Sequence, residues 1–232
     1  MAARARAAPR LMSTLPALQA TESDVEFLTV GWRALTSACG DGETAERWLA
    51  ALTRLYSGPE RHYHNLRHVA EMLRLLGQFH ADAADYAAVR FAAWFHDAVY
   101  DTRKDTNEDE SAALAERALD EMRVPSQTTG LTRRLILATK SHEAEGGPPD
   151  LGLFLDADLS ILGAPVDAYA AYSEAIRREY AWVPEEAYRE GRLKVLTNFL
   201  RRGRLFYTGQ MASRFEAQAR RNLSNEIKVL SS

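Results

Sequence analysis

The chain has 232 residues, of which 46% are apolar, 26% charged and 9% aromatic, with 13 Gly and 8 Pro and no low-complexity tract. That composition excludes a disordered or fibrous chain, and the length is enough to bury roughly 70% of the extended surface around one core. A formal charge of −3, from 29 Lys+Arg against 32 Asp+Glu, carries no basic stripe of the kind that marks a nucleic-acid binder.

Other classes are excluded by what interrupts the chain. Charge breaks every apolar run well before the roughly 18 residues a membrane span needs, so neither nucleic acid nor membrane is expected as a partner. The single cysteine, Cys39, allows no internal disulfide framework and suits a reducing, cytoplasmic setting. Residues 1–20 hold Arg4, Arg6 and Arg10 with no acid before Glu22. That stretch reads as a disordered tail, with Met12 as an alternative start; its composition also overlaps that of an organelle transit peptide.

From Thr21 onward the pattern is helical. Ser23 with Glu26 forms a capping-box pair that opens an amphipathic run through Leu35. A second helix follows Asp41, places Trp48, Leu49, Leu52 and Leu55 on one stripe, and stops at Gly58-Pro59. Leu66, Val69, Leu73 and Leu76 mark a third. The segment Asp85 to Tyr100 is apolar on nearly every face, as a central helix would be. A further helix runs from Asn107 to Met122, and another carries Leu131, Leu135 and Ala138 up to the loop Gly146-Gly147-Pro148-Pro149. One spans about Ala168 to Tyr180, and one starts with Pro184 at its first position. The last bears Met211, Phe215, Ala219, Leu223 and Ile227 at steps of four. No period-two alternation of strand length appears, which predicts a single all-α helical bundle over residues 21–232.

Polar residues set among apolar helical neighbours single out a candidate site. Residues three and four away share a face, and those around Asp158 are Phe154, Leu155, Ile161 and Leu162. The set around Asp156 is less enclosing. His96 lies among Ala92, Ala93, Val99 and Tyr100, and Asp97 follows it. A buried carboxylate must be neutralised, paired or bound to a cation. A shared divalent metal answers for all three groups, and mixed imidazole and carboxylate donors suit Mn²⁺, Fe²⁺, Co²⁺, Ni²⁺ or Zn²⁺. The alternative is a set of core hydrogen bonds, with His96 neutral against a main-chain carbonyl. His64 and His68 would share a face if their helix has begun by then.

The pattern His68…His96-Asp97…Asp158 resembles the HD-domain superfamily of metal-dependent phosphohydrolases, over about residues 63–162. Tyr63-His64-Asn65-Leu66-Arg67-His68 is similar to the YHNxxH motif of cyclic nucleotide phosphodiesterases, and Asp158-Leu159-Ser160 to their DLS. His96-Asp97-Ala98-Val99-Tyr100-Asp101-Thr102 is similar to the HDxxEDT signature of alarmone hydrolases, with Tyr100 where those enzymes carry a catalytic Glu. Asn107-Glu108, Asp156-Ala157-Asp158 and Ile176-Arg177-Arg178-Glu179-Tyr180 resemble a bacterial branch described only as predicted HD-superfamily metal-dependent phosphohydrolases.

The resemblance implies an HD-type fold with His68, His96, Asp97 and Asp158 as ligands of one or two divalent ions, Mg²⁺ among the options. It implies His64 as proton donor to the leaving oxygen. Asp101, four residues after Asp97 and on the same helical face, would orient water or a ligand histidine. His142, Lys140 and Arg177 are candidate contacts to substrate phosphate, against ordinary helix-end and surface roles. The implied activity is hydrolysis of a phosphate mono- or diester of a small, nucleotide-like molecule. An alarmone hydrolase and a catalytically silent nucleotide-sensing module are the alternatives. The amphipathic last helix suits a homodimer interface as well as a core.

Overall fold

The computed structural model describes residues 18–39 and 42–232, and all regular structure among them is helical. The elements are α1 (Glu22–Thr36), α2 (Gly42–Tyr56), α3 (Leu66–Gln78), α4 (Tyr86–Phe95), α5 (Asn107–Glu121), α6 (Ser126–Ala138), α7 (Pro149–Asp158), α8 (Val166–Glu179), α9 (Glu185–Arg201), α10 (Gly209–Met211) and α11 (Ala217–Leu230). Short 3₁₀ turns cover His80–Asp82 and Leu159–Gly163. Among the described residues, no helix is long and apolar enough to cross a membrane.

The tail expected over residues 1–20 lies outside the described residues up to residue 17. Its last part is already docked: Asn65 Nδ2 donates to the Leu18 carbonyl at 3.0 Å, and Leu18 and Ala20 pack on the core. The capping box of α1 sits two residues before the expected one. Thr21 and Asp24 bond each other's backbone N–H, and Arg74 from α3 holds the second Asp24 oxygen at 2.6 Å. That tertiary ion pair selects Asp24 over Glu26 as the capping acid.

α4 is the central helix. It packs against α3, α5, α6 and α7, and seven of its ten residues are buried. Trp32 of α1 closes on it, 5.2 Å from Trp94 and 6.1 Å from Phe91, edge to face. On α2 the buried stripe ends in Tyr56, whose hydroxyl donates to the Trp94 carbonyl at 3.1 Å. The expected stripe residue Leu55 is instead 39% exposed.

Two helices are shorter than their apolar patterns. α4 stops at Phe95 rather than Tyr100, because Arg61 donates to the carbonyls of Asp97 (2.6 Å) and Ala98 (3.0 Å). Ser111 then takes the Val99 carbonyl. Those acceptors are what a continuing helix would have used. α3 begins only at Leu66, because the Asn65 side chain caps it by accepting from Arg67 N at 2.8 Å. His64 therefore precedes the helix, and the shared helical face with His68 does not form. Pro184 is the N-cap of α9 rather than its first residue.

The expected last helix is divided. A π turn over Ala212–Glu216 joins α10 to α11. Apolar residues at steps of four drift about 40° per step on an α-helix, and a wider turn absorbs that drift. The turn also lets Phe215 approach Gly163, where a Cβ would stand 2.7 Å from the Phe215 carbonyl oxygen. α11 thereby lies against the 3₁₀ turn that follows α7 and packs on α9, and α8 and α9 close one side of a cavity over the ends of α4 and α7.

Candidate metal centre and cavity

Three elements bring the donors together. His68 lies in the first turn of α3, His96 is the C-cap of α4, and Asp158 ends α7. Their ligand atoms all lie within 4.8 Å of one another. His68 Nε2 is 3.2 Å from His96 Nε2 and 3.1 Å from Asp158 Oδ1, and His96 Nε2 is 3.6 Å from that oxygen. Donors about 2.0–2.2 Å from one shared ion stand about 3 to 3.6 Å apart in tetrahedral or octahedral arrangement, so the triangle has the size of a coordination face. His96 Nδ1 lies 3.1 Å from the Ala93 carbonyl. That contact fixes the proton on Nδ1 and leaves the Nε2 lone pair turned to the centre.

Asp97 stands at one edge of this triangle. Its Oδ2 is 2.9 Å from His96 Nε2 and 4.0 Å from both His68 Nε2 and His64 Nε2. Burial penalises a charged His96, but Asp97 and Asp158 overcome it and raise its pKa to about 9. The two carboxylates thus favour positive charge at His96 Nε2, whether a proton or a metal ion carries it. Burial would raise the Asp158 pKa. Hydrogen bonds from His142 and His68, with the charge of His96, instead hold it well below the usual carboxylate range. Asp97 is lowered against the same penalty by His96 and His64.

His142 completes the carboxylate's environment, with Nε2 2.9 Å from Asp158 Oδ2. Its backbone is left-handed at φ 51°, an uncommon state for a side chain of this size. It is held there from outside the site: Arg202 and the Tyr207 hydroxyl both donate to its carbonyl at 2.8 Å.

His64 reaches the centre from the loop before α3. Its Nδ1 lies 2.6 Å from Glu179 Oε2, and the other Glu179 oxygen accepts the N–H groups of His62, Tyr63 and His64 at 2.9, 2.7 and 2.9 Å. Tyr100 donates to Oε2 at 3.0 Å. Burial would raise the Glu179 pKa, yet His64 and these backbone donors bring it down to about 2. Burial works against the His64 imidazolium, and Glu179 and Asp97 raise its pKa in spite of it. Glu179 therefore fixes both the loop and the ring, with Nε2 directed toward Asp97.

In the sequence Glu179 appears only within the Ile176–Tyr180 motif, next to Arg177-Arg178, with no role of its own. The same neighbour test that selects Asp158 would have found it: positions three and four away are Ala175, Ile176, Trp182 and Val183, all apolar. Asp156 is also more enclosed than its neighbours suggested. It is fully buried and accepts from the N–H groups of Tyr207 (2.7 Å) and Thr208 (2.8 Å). It thereby positions the segment that pins His142.

Five of the sequence-predicted residues lie outside the cavity lining: His68 and His96, buried beneath it, and three that the fold does not bring to the centre. Asp101 sits in a turn, accepting from Arg103 N and exchanging two bonds with Asn107, because the helix that would have placed it beside Asp97 ends at Phe95. Lys140 is exposed and pairs with Asp109 at 3.2 Å. Arg177 pairs with Glu185 and donates to the carbonyls of Tyr180 and Val183. It thus braces the loop between α8 and α9.

The cavity over the centre has a volume of about 570 Å³. Its floor includes His64, Asp97, His142 and Asp158, and its walls carry Tyr172, Tyr180, Trp182, Tyr188 and Phe199. No protein-family model matches the chain, and neither the curated proteins nor the solved structures contain a match.

Proposed function

We propose that the protein is a metal-dependent phosphohydrolase of the HD type, cleaving a phosphate mono- or diester at the floor of this cavity. The observation that carries the reading is the triangle of His68, His96 and Asp158, whose Asp158 lines the cavity, with an oriented imidazole, His64, beside it. A purely structural histidine cluster has no need of a fourth histidine fixed by a buried carboxylate and facing a cavity.

The residues divide the work. His68, His96 and Asp158 would hold a divalent ion, with Asp97 at its edge. A metal there supplies Lewis acidity toward a phosphoryl oxygen and lowers the pKa of water toward about 7. Water adds to phosphorus, the bond from phosphorus to the leaving oxygen breaks, and His64 Nε2 gives its proton to that oxygen; an alcohol leaves, phosphate (or, from a diester, a phosphate monoester) remains, and the proton lost by the water restores His64 through solvent. Such proton donation contributes about 10²–10⁴-fold. Glu179 stabilises the His64 imidazolium and holds its ring, as the carboxylate of a catalytic triad does for its histidine. His142 keeps the second oxygen of Asp158 occupied, which presents the first to the metal.

Tyr100 speaks against the alarmone reading. Where those hydrolases carry a catalytic Glu, Tyr100 here spends its hydroxyl on Glu179. Turnover of p-nitrophenyl phosphate and its bis-ester by Mn²⁺-loaded protein tests the proposal. Activity abolished by chelation and by His64→Ala is expected. Activity that survives both, or none with any divalent metal, refutes it.

A further inference from the structure

The charge of the cavity above the centre restricts what can enter it. Among the described lining residues, Asp97, Asp158 and Glu108 are acidic, while Arg192 carries the one guanidinium or ammonium group. Arg192 is already spent. It forms two bonds to Glu226, at 2.8 and 3.1 Å, and its guanidinium lies 5.3 Å from the centroid of the Tyr172 ring. Lys140 and Arg177, the other cations considered for phosphate, lie outside the lining and are bound elsewhere.

A phosphoryl at the metal and His64 would be neutralised there. A second phosphoryl would lie among carboxylates and tyrosines, with Arg192 spent and the Arg103 guanidinium outside the lining, stacked 5.1 Å from the Trp182 ring centroid, a cost that grows in a partly enclosed site. The walls offer something else. Tyr172, Tyr180, Tyr188, Trp182 and Phe199 surround the volume with rings, and flat aromatic or apolar groups bury well against such surfaces.

We propose that the cavity selects singly phosphorylated esters whose leaving group is a neutral, planar ring system, and discriminates against di- and polyphosphates. This rests on the phosphohydrolase reading of the floor.

The test is calorimetric binding of non-hydrolysed probes to the full chain in excess Mn²⁺, which prevents chelation from stripping the site. Phenylphosphonate should bind about tenfold or more tightly than methylphosphonate, a typical return for one stacked ring. The phosphonate analogue of adenosine monophosphate, with carbon in place of the ester oxygen, should exceed the corresponding non-hydrolysable analogue of adenosine diphosphate by a similar factor. Two exposed positions sharpen the test: Trp182, at 48% exposure, and Val195, at 45%, both line the cavity. Trp182→Ala should weaken phenylphosphonate and leave methylphosphonate unchanged. Val195→Lys should shift preference toward the diphosphate analogue. Equal binding of phenylphosphonate and methylphosphonate, or tighter binding of the diphosphate analogue by the wild type, overturns this proposal alone. Failure of every phosphonate and nucleotide to bind the metal-loaded protein overturns the phosphohydrolase reading, and this proposal with it.

Discussion

Glu179→Gln isolates the charge of the carboxylate from its shape. The amide oxygen can still accept the N–H groups of His62, Tyr63 and His64, now as a neutral acceptor. Its nitrogen must face Tyr100 and His64 Nδ1, both of which donate in the wild type, so the Tyr hydroxyl turns and the imidazole changes tautomer. A hydrogen bond to a charged group contributes about 1.5–3 kcal/mol and a neutral one about 0.5–1.5. Losing that difference over several coupled bonds comes to about 3 kcal/mol, or about 6–12 °C in Tm for a chain of this size.

The effect depends on pH in a defined direction. The His64 pKa is raised above 6.5 in the fold. Its contribution is therefore complete below that value and is lost as pH rises through the raised one. The Glu179 pKa falls from 4.5 to about 2, so its contribution is complete above 4.5 and lost as pH falls toward 2. The difference in Tm between wild type and Glu179→Gln should peak at about pH 5.5 and shrink both toward acid and as the medium becomes alkaline. Thermal unfolding followed by circular dichroism across that range measures it. Equal melting curves at about pH 5.5, or a difference that grows with alkalinity, would refute the role given to Glu179.

Other consequences are as concrete. His142→Ala should lower metal affinity about 10–100-fold while the fold persists, because Asp158 loses the partner that orients it; competition with a fluorescent chelator reads this directly. Gly163→Ala should destabilise by about 1–3 kcal/mol, since its Cβ would meet the backbone of Phe215 and main chain yields poorly. Urea unfolding with an unchanged midpoint would contradict that close approach. Glu226→Gln should cost about 3 kcal/mol or more. The acid accepts from Arg192, Tyr169 and Ser173 in a buried network joining α8, α9 and α11. Burial would raise the Glu226 pKa, yet Arg192 lowers it. The wild type should therefore lose this advantage below about pH 4.5, and a variant as stable as wild type at about pH 7 would exclude the network's importance.

The helices were legible because their apolar spacing is strong, and His68, His96 and Asp158 because polar groups stand out within apolar faces. Helix ends were less so. α4 ends where Arg61, 36 residues before Asp97 in the chain, takes over backbone carbonyls, and α3 begins only after Asn65, whose side chain caps it. Asp101 illustrates the consequence: spacing alone placed it beside Asp97, but no helix connects them. Glu179 was missed for a related reason, as it meets His64 across 115 residues of sequence. Its apolar neighbours were visible, but the adjacent arginines concealed them. The aromatic walls come from α8, α9 and the loop between them, so no single segment carries their pattern.

Metal content of the purified full chain, compared with Asp158→Asn, tests the central claim most directly. The substitution keeps the side chain's shape and removes only its charge, and circular dichroism establishes that the variant is folded. Near-stoichiometric transition metal in the wild type, retained through gel filtration and strongly depleted in Asp158→Asn, is the predicted result. A wild type that takes up no metal after reconstitution, or a variant that holds as much, would contradict the metal centre.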